Sequence, residues 1–243
     1  MAAVTFPIVI PGLHAPPTVK DLLRSSQTYN LLPDDGDQPE VPKIHLQELA
    51  RIFARFKVQN IFGLHLIHGH FQIEEGKIML GTPLTSVRGC WTQPTPIRDI
   101  NPAEIHGHIF KLTVSGEMQA YEYRQGPTLC LDDVDPMFFQ ELIKYLQTHH
   151  LVDLLGLQVL GNDAPATMSE FILANKGTVM LDERDVKSRG EAFCITGFIL
   201  KEQFKDSEKH APTIRETHQV FFDGDIKTEN QLMAILRGEE IVF

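Results

Sequence analysis

The sequence is short of three kinds of residue or segment, and each shortage excludes a class of protein. Its 243 residues include only three cysteines, which is too few, and an odd number, for a disulfide framework. Lys and Arg number 22 against 32 Asp and Glu, and the formal net charge of −10 leaves no basic footprint for nucleic acid or an anionic membrane. No apolar run approaches the roughly 18–20 residues that span a bilayer. We therefore expect a protein that binds neither nucleic acid nor membrane.

Several sequence motifs of common enzymes are also missing. There is no G-x-S-x-G elbow, no P-loop and no G-x-G-x-x-G, so the hydrolase, nucleotide and dinucleotide classes lack support. The first residues carry no basic stretch, and Pro7 and Pro11 interrupt their apolar run, which is unlike a signal peptide. Together with the widely spaced Cys90, Cys130 and Cys194, this pattern predicts a cytoplasmic protein.

The remaining composition is that of an ordinary globular chain, with 42% hydrophobic and 22% charged residues. A proline-rich stretch at 1–43 predicts an N-terminal extended segment. Residues 44–134 are expected to form a first α+β lobe and residues 135–243 a second. We predict that the two lobes make one compact unit.

Two amphipathic helices stand out in the sequence. From Ile44 to Phe56, apolar residues recur at the spacing of one helix face. The second helix runs from Pro136 to about His149, with Asp135 as its N-cap and proline at the first helical position.

Strands are expected to outnumber helices. Helices and strands do not alternate as a doubly wound parallel sheet would require, so we predict an α+β fold with a mostly antiparallel sheet. The predicted strands cover residues 60–72, 77–80, 104–114, 118–124, 151–160, 192–201 and 217–222, and further short helices are expected at 18–23 and 228–236.

The two helix–strand units share residues at constant spacing, which predicts an internal duplication of a helix–strand–hairpin unit. Chance similarity of two amphipathic units is the alternative. The matches at an offset of 93 residues are Gln47-Glu48-Leu49 with Gln140-Glu141-Leu142, and Gly63-Leu64 with Gly156-Leu157. Those at an offset of 101 are Gly76, Met79-Leu80 and Arg88-Gly89 with Gly177, Met180-Leu181 and Arg189-Gly190.

The strongest functional signal is a histidine-rich segment, GLHLIHGH at residues 63–70. Imidazoles are costly to bury without partners, and they are also common metal ligands and proton carriers near neutral pH. Alternate side chains of a strand share a face, so His68 and His70 are predicted to point one way and His65 the other. Gly69 leaves room for a ligand between them.

A histidine pair on one strand face can chelate a divalent metal. We take His68 and His70 as the candidate ligands, with Glu74, His106 or His108 completing the coordination. Iron, zinc and manganese are the candidate ions. Metal-free acid–base catalysis by the same histidines and a purely structural role remain open alternatives.

A second Ile-His-Gly-His tetrapeptide at 105–108 makes His106 and His108 further candidate catalytic residues. Trp91, the only tryptophan, either lines a substrate pocket or seals a core.

The histidines are not repeated in the second unit. Under the 93-residue offset, residues 158, 161 and 163 correspond to the three histidines of the first unit, and they are Gln, Gly and Asp. This difference favours a specialised site in the first lobe.

The spacing of His68, His70, Glu74 and Gly81 resembles the first signature of the cupin family, H-x-H-x(3,4)-E-x6-G. That resemblance implies a metal-binding β-barrel. It is partial, because it covers only residues 63–81, a second signature is missing, and an amphipathic helix directly precedes the strand. The segment Leu66-Ile67-His68-Gly69-His70-Phe71 is also similar to a group of uncharacterised fungal proteins, a resemblance that implies no residue roles.

These observations predict a small-molecule enzyme of the isomerase, lyase or cyclase type, with its histidine pair in an apolar pocket between the lobes. Such reactions need shape and a few polar groups, and secondary metabolism is a natural setting for them. The alternative is a non-catalytic binding or scaffold protein with structural histidines. The sequence predicts neither the substrate nor the oligomeric state.

Overall fold

The computed structural model describes residues 8–160, 168–174, 176–187, 194–200, 213–220 and 226–243, with the backbone alone for 213–220. Within these ranges it contains four α-helices: α1 Val19–Tyr29, α2 Lys43–Arg55, α3 Met137–Thr148 and α4 Glu229–Gly238. It also contains ten strands: β1 Phe62–Leu66, β2 Lys77–Pro83, β3 Gly89–Pro96, β4 Ile105–Leu112, β5 Met118–Gln125, β6 Leu155–Val159, β7 Met168–Leu173, β8 Thr178–Asp182, β9 Ile195–Ile199 and β10 Thr213–Val220.

The ten strands close into a barrel in the order β1-β6-β4-β5-β2-β3-β8-β7-β10-β9, with β9 pairing back to β1. Two of the neighbouring pairs, β2–β5 and β7–β10, are parallel, and the others are antiparallel. The predicted α+β class with a mostly antiparallel sheet is therefore confirmed. Strands of the two predicted lobes lie side by side in this ring.

Helices α2 and α3 pack together against β1. Phe53 of α2 and Phe138 of α3 meet edge to face at 5.1 Å, and Phe138 stacks on Phe62 of β1 at 5.6 Å. Burying an aromatic side chain of this size contributes about 1.5–3 kcal/mol. The cap of α3 differs from the prediction by one residue: Pro136 is the N-cap, and Asp135 accepts a hydrogen bond from the Met137 backbone N–H at 2.9 Å.

A second hydrophobic core lies beneath α4. Trp91 of β3 is 6% exposed and packs there with Phe171 and Val179 of the barrel and Leu232 of the helix. The structure therefore places Trp91 in this core, and its predicted role in a substrate pocket stays a prediction.

The order of the barrel is unchanged when β1 is exchanged with β6, β2 with β7, β3 with β8, β4 with β9 and β5 with β10. In the antiparallel pair β1–β6, Leu64 lies opposite Leu157, the residue 93 positions later. The 101-residue offset, in contrast, aligns β2 with β8, whereas the exchange pairs β2 with β7. The predicted correspondences at 161, 163 and 189–190 lie outside the described residues.

Gly63 and Gly156 occupy equivalent places in this arrangement. A Cβ at Gly63 would lie 2.9 Å from the Phe198 carbonyl oxygen on β9, and one at Gly156 would lie 2.3 Å from the Phe110 carbonyl oxygen on β4. Strands β9 and β4 exchange under the same operation. At both positions, a carbonyl oxygen of the neighbouring strand therefore leaves no room for a side chain larger than that of glycine.

No disulfide joins the three cysteines, all of which are described. Among the described helices, none combines the length and the apolar character needed to cross a bilayer.

Candidate metal centre

The predicted strand at 60–72 ends earlier than expected. Strand β1 stops at Leu66, so His68 and His70 lie in the segment that follows it. Gly69 makes an isolated bridge with Asp34, and its backbone N–H donates to the Pro33 carbonyl at 2.8 Å. The N-terminal part of the chain therefore helps to hold this segment in place.

The early end of β1 also corrects the predicted orientation of His65. The rings of His65 and His68 stack at 5.1 Å with an interplanar angle of 12°. The Tyr121 hydroxyl on β5 lies 3.5 Å from His65 Nδ1. The alternation of a strand does not extend beyond Leu66, and His65 therefore lies beside the other histidines and not on an opposite face.

The third member of the site comes from a distant strand. Glu170 on β7 places its Oε1 3.7 Å from His70 Nε2, and that nitrogen lies 3.2 Å from His68 Nε2. One ligand atom from each of the three residues lies within 4.8 Å of the others. We call His68, His70 and Glu170 the histidine–glutamate cluster.

Glu74, the predicted carboxylate ligand, is not part of this cluster. Its side chain is 80% exposed and pairs with Lys77 at 3.1 Å. The turn after the histidines carries Glu74 to the surface, so the cupin-like spacing does not bring it to His68 and His70. Glu170 was not predicted from the sequence, where its signal is a single carboxylate within the mostly apolar run of residues 168–173.

Burial keeps His68 neutral. Loss of solvent, followed by the positive charge of His70, lowers its pKa to about 4. Its Nδ1–H donates to the Leu66 carbonyl at 2.8 Å, so Nε2 carries a lone pair directed toward His70.

His70 and Glu170 form a buried ion pair, with side chains 3% and 6% exposed. Burial alone would lower the pKa of His70, but the hydrogen bond and charge of Glu170 outweigh it, and the pKa is raised. Burial would likewise raise the pKa of Glu170, but His70 and then His68 bring it well below its usual range. Within the cluster, His70 therefore carries the positive charge, Glu170 the negative charge, and His68 is neutral.

Further carboxylates surround the cluster. Asp35 and Glu122 both act on His70 and raise its pKa after Glu170 does. Asp34, which bridges to Gly69, has its pKa lowered, first by the side-chain hydrogen bond from Asp35 and weakly by His70 and His68. The carboxylates that act on these histidines thus favour positive charge at the site.

Two buried tyrosines, Tyr29 and Tyr121, stand near these carboxylates. Burial, followed by the charge of Glu122, raises the pKa of both phenols well above the ordinary value. Each phenol therefore keeps its proton at neutral pH and is available as a hydrogen-bond donor.

The second Ile-His-Gly-His tetrapeptide lies elsewhere. It begins β4, where His106 is half-buried and His108 is buried, and both line a cavity of about 340 Å³. Gln158 Nε2 donates to His108 Nε2 at 3.1 Å. His106 and His108 are therefore not members of the histidine–glutamate cluster.

No protein-family model matches the chain, and neither a curated protein nor a solved structure is significantly similar to it. The two resemblances of the histidine segment stay predictions. Function has to be inferred from the chemistry of the site itself.

Proposed function

We propose that the protein is a small-molecule enzyme that binds one divalent metal ion through His68, His70 and Glu170. The observation that carries this proposal is the convergence of three donor atoms from two distant segments within 4.8 Å. Two imidazoles and one carboxylate are a ligand set used by catalytic zinc and non-haem iron sites, which keep further positions open.

The spacing of the donors supports this proposal. Ligands at about 2.1 Å from an ion, separated by angles of about 90–110°, lie about 3.0–3.4 Å apart. The His68–His70 distance of 3.2 Å falls in this range. The His70–Glu170 distance of 3.7 Å needs to shorten by a few tenths of an ångström.

The surroundings of the ligands support it as well. The hydrogen bond from His68 Nδ1 to the Leu66 carbonyl is of the kind that orients metal-binding histidines. His70 Nδ1 and Glu170 Oε2 are buried and make no hydrogen bond within the described part of the chain. The excess of carboxylates around the cluster offsets the charge of a divalent cation.

The neighbouring groups favour proton-transfer chemistry. A bound ion would act as a Lewis acid on a carbonyl or hydroxyl oxygen of the substrate. The neutral Tyr121 phenol would donate a hydrogen bond, and His65 beside it would carry a proton. Isomerisation, elimination and cyclisation each move a proton next to a polarised oxygen, and we propose this class, with secondary metabolism as the setting.

We also infer that the barrel arose by duplication, with the histidines of the histidine–glutamate cluster in one half and Glu170 in the other. The exchange symmetry of the ring and the matched demand for glycine at 63 and 156 support this inference. In the pair β1–β6, His65 lies opposite Gly156 and Gln158 lies opposite Gly63. The framework is thus repeated, while the imidazole of one half corresponds to an amide in the other.

A structural role is the second candidate, and the deep burial of the His70–Glu170 pair favours it. A buried ion pair can fix one packing arrangement without binding anything. In that case the protein would be a non-catalytic binding or scaffold protein, as the sequence analysis also allowed.

The metal-binding role and the structural role can be distinguished by metal analysis. The measurement compares the metal content of the purified protein with that of the double variant His68→Ala/His70→Ala. We expect about one zinc, iron or manganese ion per wild-type chain and none in a folded variant, with folding checked by circular dichroism. Metal-loaded protein is then screened for isomerisation, elimination or cyclisation of small carbonyl and hydroxy compounds, with the variant as blank. A wild-type protein that neither contains nor binds metal would overturn the proposal in favour of the structural role.

A further inference from the structure

Among the residues that the structure describes, the wall of the cavity beside the second tetrapeptide has one cationic side chain and none of opposite charge. It lies between the start of β4, the end of β5, the loop that follows β5 and the end of β6. Its volume of about 340 Å³ is at the lower end of the range for small-molecule pockets. The polar side chains of its wall include those of Arg124, His106, His108 and Thr128.

Arg124 carries a positive charge that the described residues do not balance. It is half-buried, its Nε is buried without a hydrogen bond, and no carboxylate among the described side chains forms an ion pair with it. The chain has 32 acidic residues against 22 basic ones, so carboxylates are not in short supply. A partly desolvated guanidinium is best stabilised by a bidentate anion.

The histidines do not supply the missing negative charge. His106 lies opposite Arg124 in the β4–β5 register, and burial, followed by that neighbouring cation, lowers its pKa. Its Nδ1–H donates to the Gly126 carbonyl at 3.2 Å. Because His108 Nε2 accepts from Gln158, the His108 ring carries its proton on Nδ1 and is a donor there.

Most other described residues of the wall are apolar. They include Leu129 of the loop and Val159 and Leu160 at the end of β6. A wall that combines a single cation with apolar side chains fits a monoanion with an apolar body better than a phosphate, which usually meets several donors.

We propose that this cavity binds a small organic carboxylate, with its carboxylate on Arg124 and its apolar part against Leu129, Val159 and Leu160. The site is separate from the histidine–glutamate cluster, and the proposal does not rest on a bound metal.

Isothermal titration of metal-free protein in EDTA tests this proposal with benzoate and hexanoate, their neutral amides and inorganic phosphate. We expect one saturable carboxylate site, with the matching amide at least tenfold weaker. Arg124→Gln should weaken carboxylate binding at least tenfold, whereas the control Arg98→Gln, at an exposed arginine, should change it less than twofold.

Leu129→Trp, which fills the cavity without changing its charge, should also abolish carboxylate binding. If Arg124→Gln does not fold, this variant tests the location of the carboxylate site instead. Three results would overturn the proposal: no saturable carboxylate binding, equal affinity for acid and amide, or phosphate binding tighter than that of either carboxylate. Because EDTA keeps the protein metal-free throughout, an absence of carboxylate binding would not contradict the proposed metal site. Likewise, an absence of metal binding would not contradict the proposed carboxylate site.

Discussion

The same tetrapeptide, Ile-His-Gly-His, takes two different structures in this protein. At 67–70 it follows the end of β1, and both histidines join Glu170. At 105–108 it opens β4, and its histidines lie beside Arg124. The four letters are identical, so the difference comes from the partners that the rest of the fold brings to each copy.

The two copies differ in the charge of the side chains that act on their histidines. In the first copy, carboxylates raise the pKa of His70 and favour a cation. In the second copy, the guanidinium of Arg124 adds to burial in lowering the pKa of His106 and favours an anion. A motif search finds both pairs but cannot assign them opposite ligands.

The largest expected effect is a complete separation of the two binding activities. His70→Ala should weaken zinc binding by at least about 100-fold, because loss of a ligand costs more than the roughly 10- to 100-fold of an outer-shell partner. His106→Ala should leave zinc binding unchanged. Titration of both variants with zinc and with benzoate checks this. Impaired zinc binding by His106→Ala would contradict the assignment of the two tetrapeptides to separate sites.

The two central glycines should differ in their tolerance of alanine. A Cβ at Gly107 would lie 2.2 Å from Cζ of the buried Phe110 ring, whereas one at Gly69 meets Leu32 Cβ at 3.3 Å. Overpacking a core costs about 1–3 kcal/mol, so Gly107→Ala should lose about 2–3 kcal/mol and Gly69→Ala less than about 1 kcal/mol. Urea unfolding in EDTA measures both, and a more destabilised Gly69→Ala would contradict the described packing.

The smallest expected effect concerns the hydrogen bond beside the first copy. Tyr121→Phe removes a long contact of 3.5 Å to His65 Nδ1, and we expect a loss of about 1 kcal/mol or less in unfolding free energy. Benzoate binding at the other copy should not change. A loss of unfolding free energy several times larger would mean that the Tyr121 hydroxyl makes a major contribution to the stability of the core.

The helices were the most predictable part of the fold. The apolar periodicity of α2 and α3 is local, and both form within a few residues of the predicted bounds. The closed ring was not predictable, because it depends on pairings such as β3–β8 and β1–β9 between strands far apart in the chain. Strands β3, β7 and β8 were absent from the prediction. The short apolar run of β7, for example, has no alternation to distinguish it.

The site was predictable only in part, for a related reason. His68 and His70 were identified because they are close in sequence. Glu170 was missed because it is brought in by β7, and Glu74 was chosen instead for its spacing alone. His65 was assigned to the wrong face because the strand was extended past Leu66, where the chain leaves the barrel to meet the N-terminal segment.

The most direct test is the zinc affinity of Glu170→Gln beside that of Glu74→Gln. Both variants remove one carboxylate charge and keep the shape of the side chain, but only Glu170 belongs to the histidine–glutamate cluster. We predict that Glu170→Gln binds zinc at least about 100-fold more weakly than wild type, while Glu74→Gln stays within about twofold. Undiminished zinc binding by Glu170→Gln, or a loss confined to Glu74→Gln, would contradict the assignment of the site.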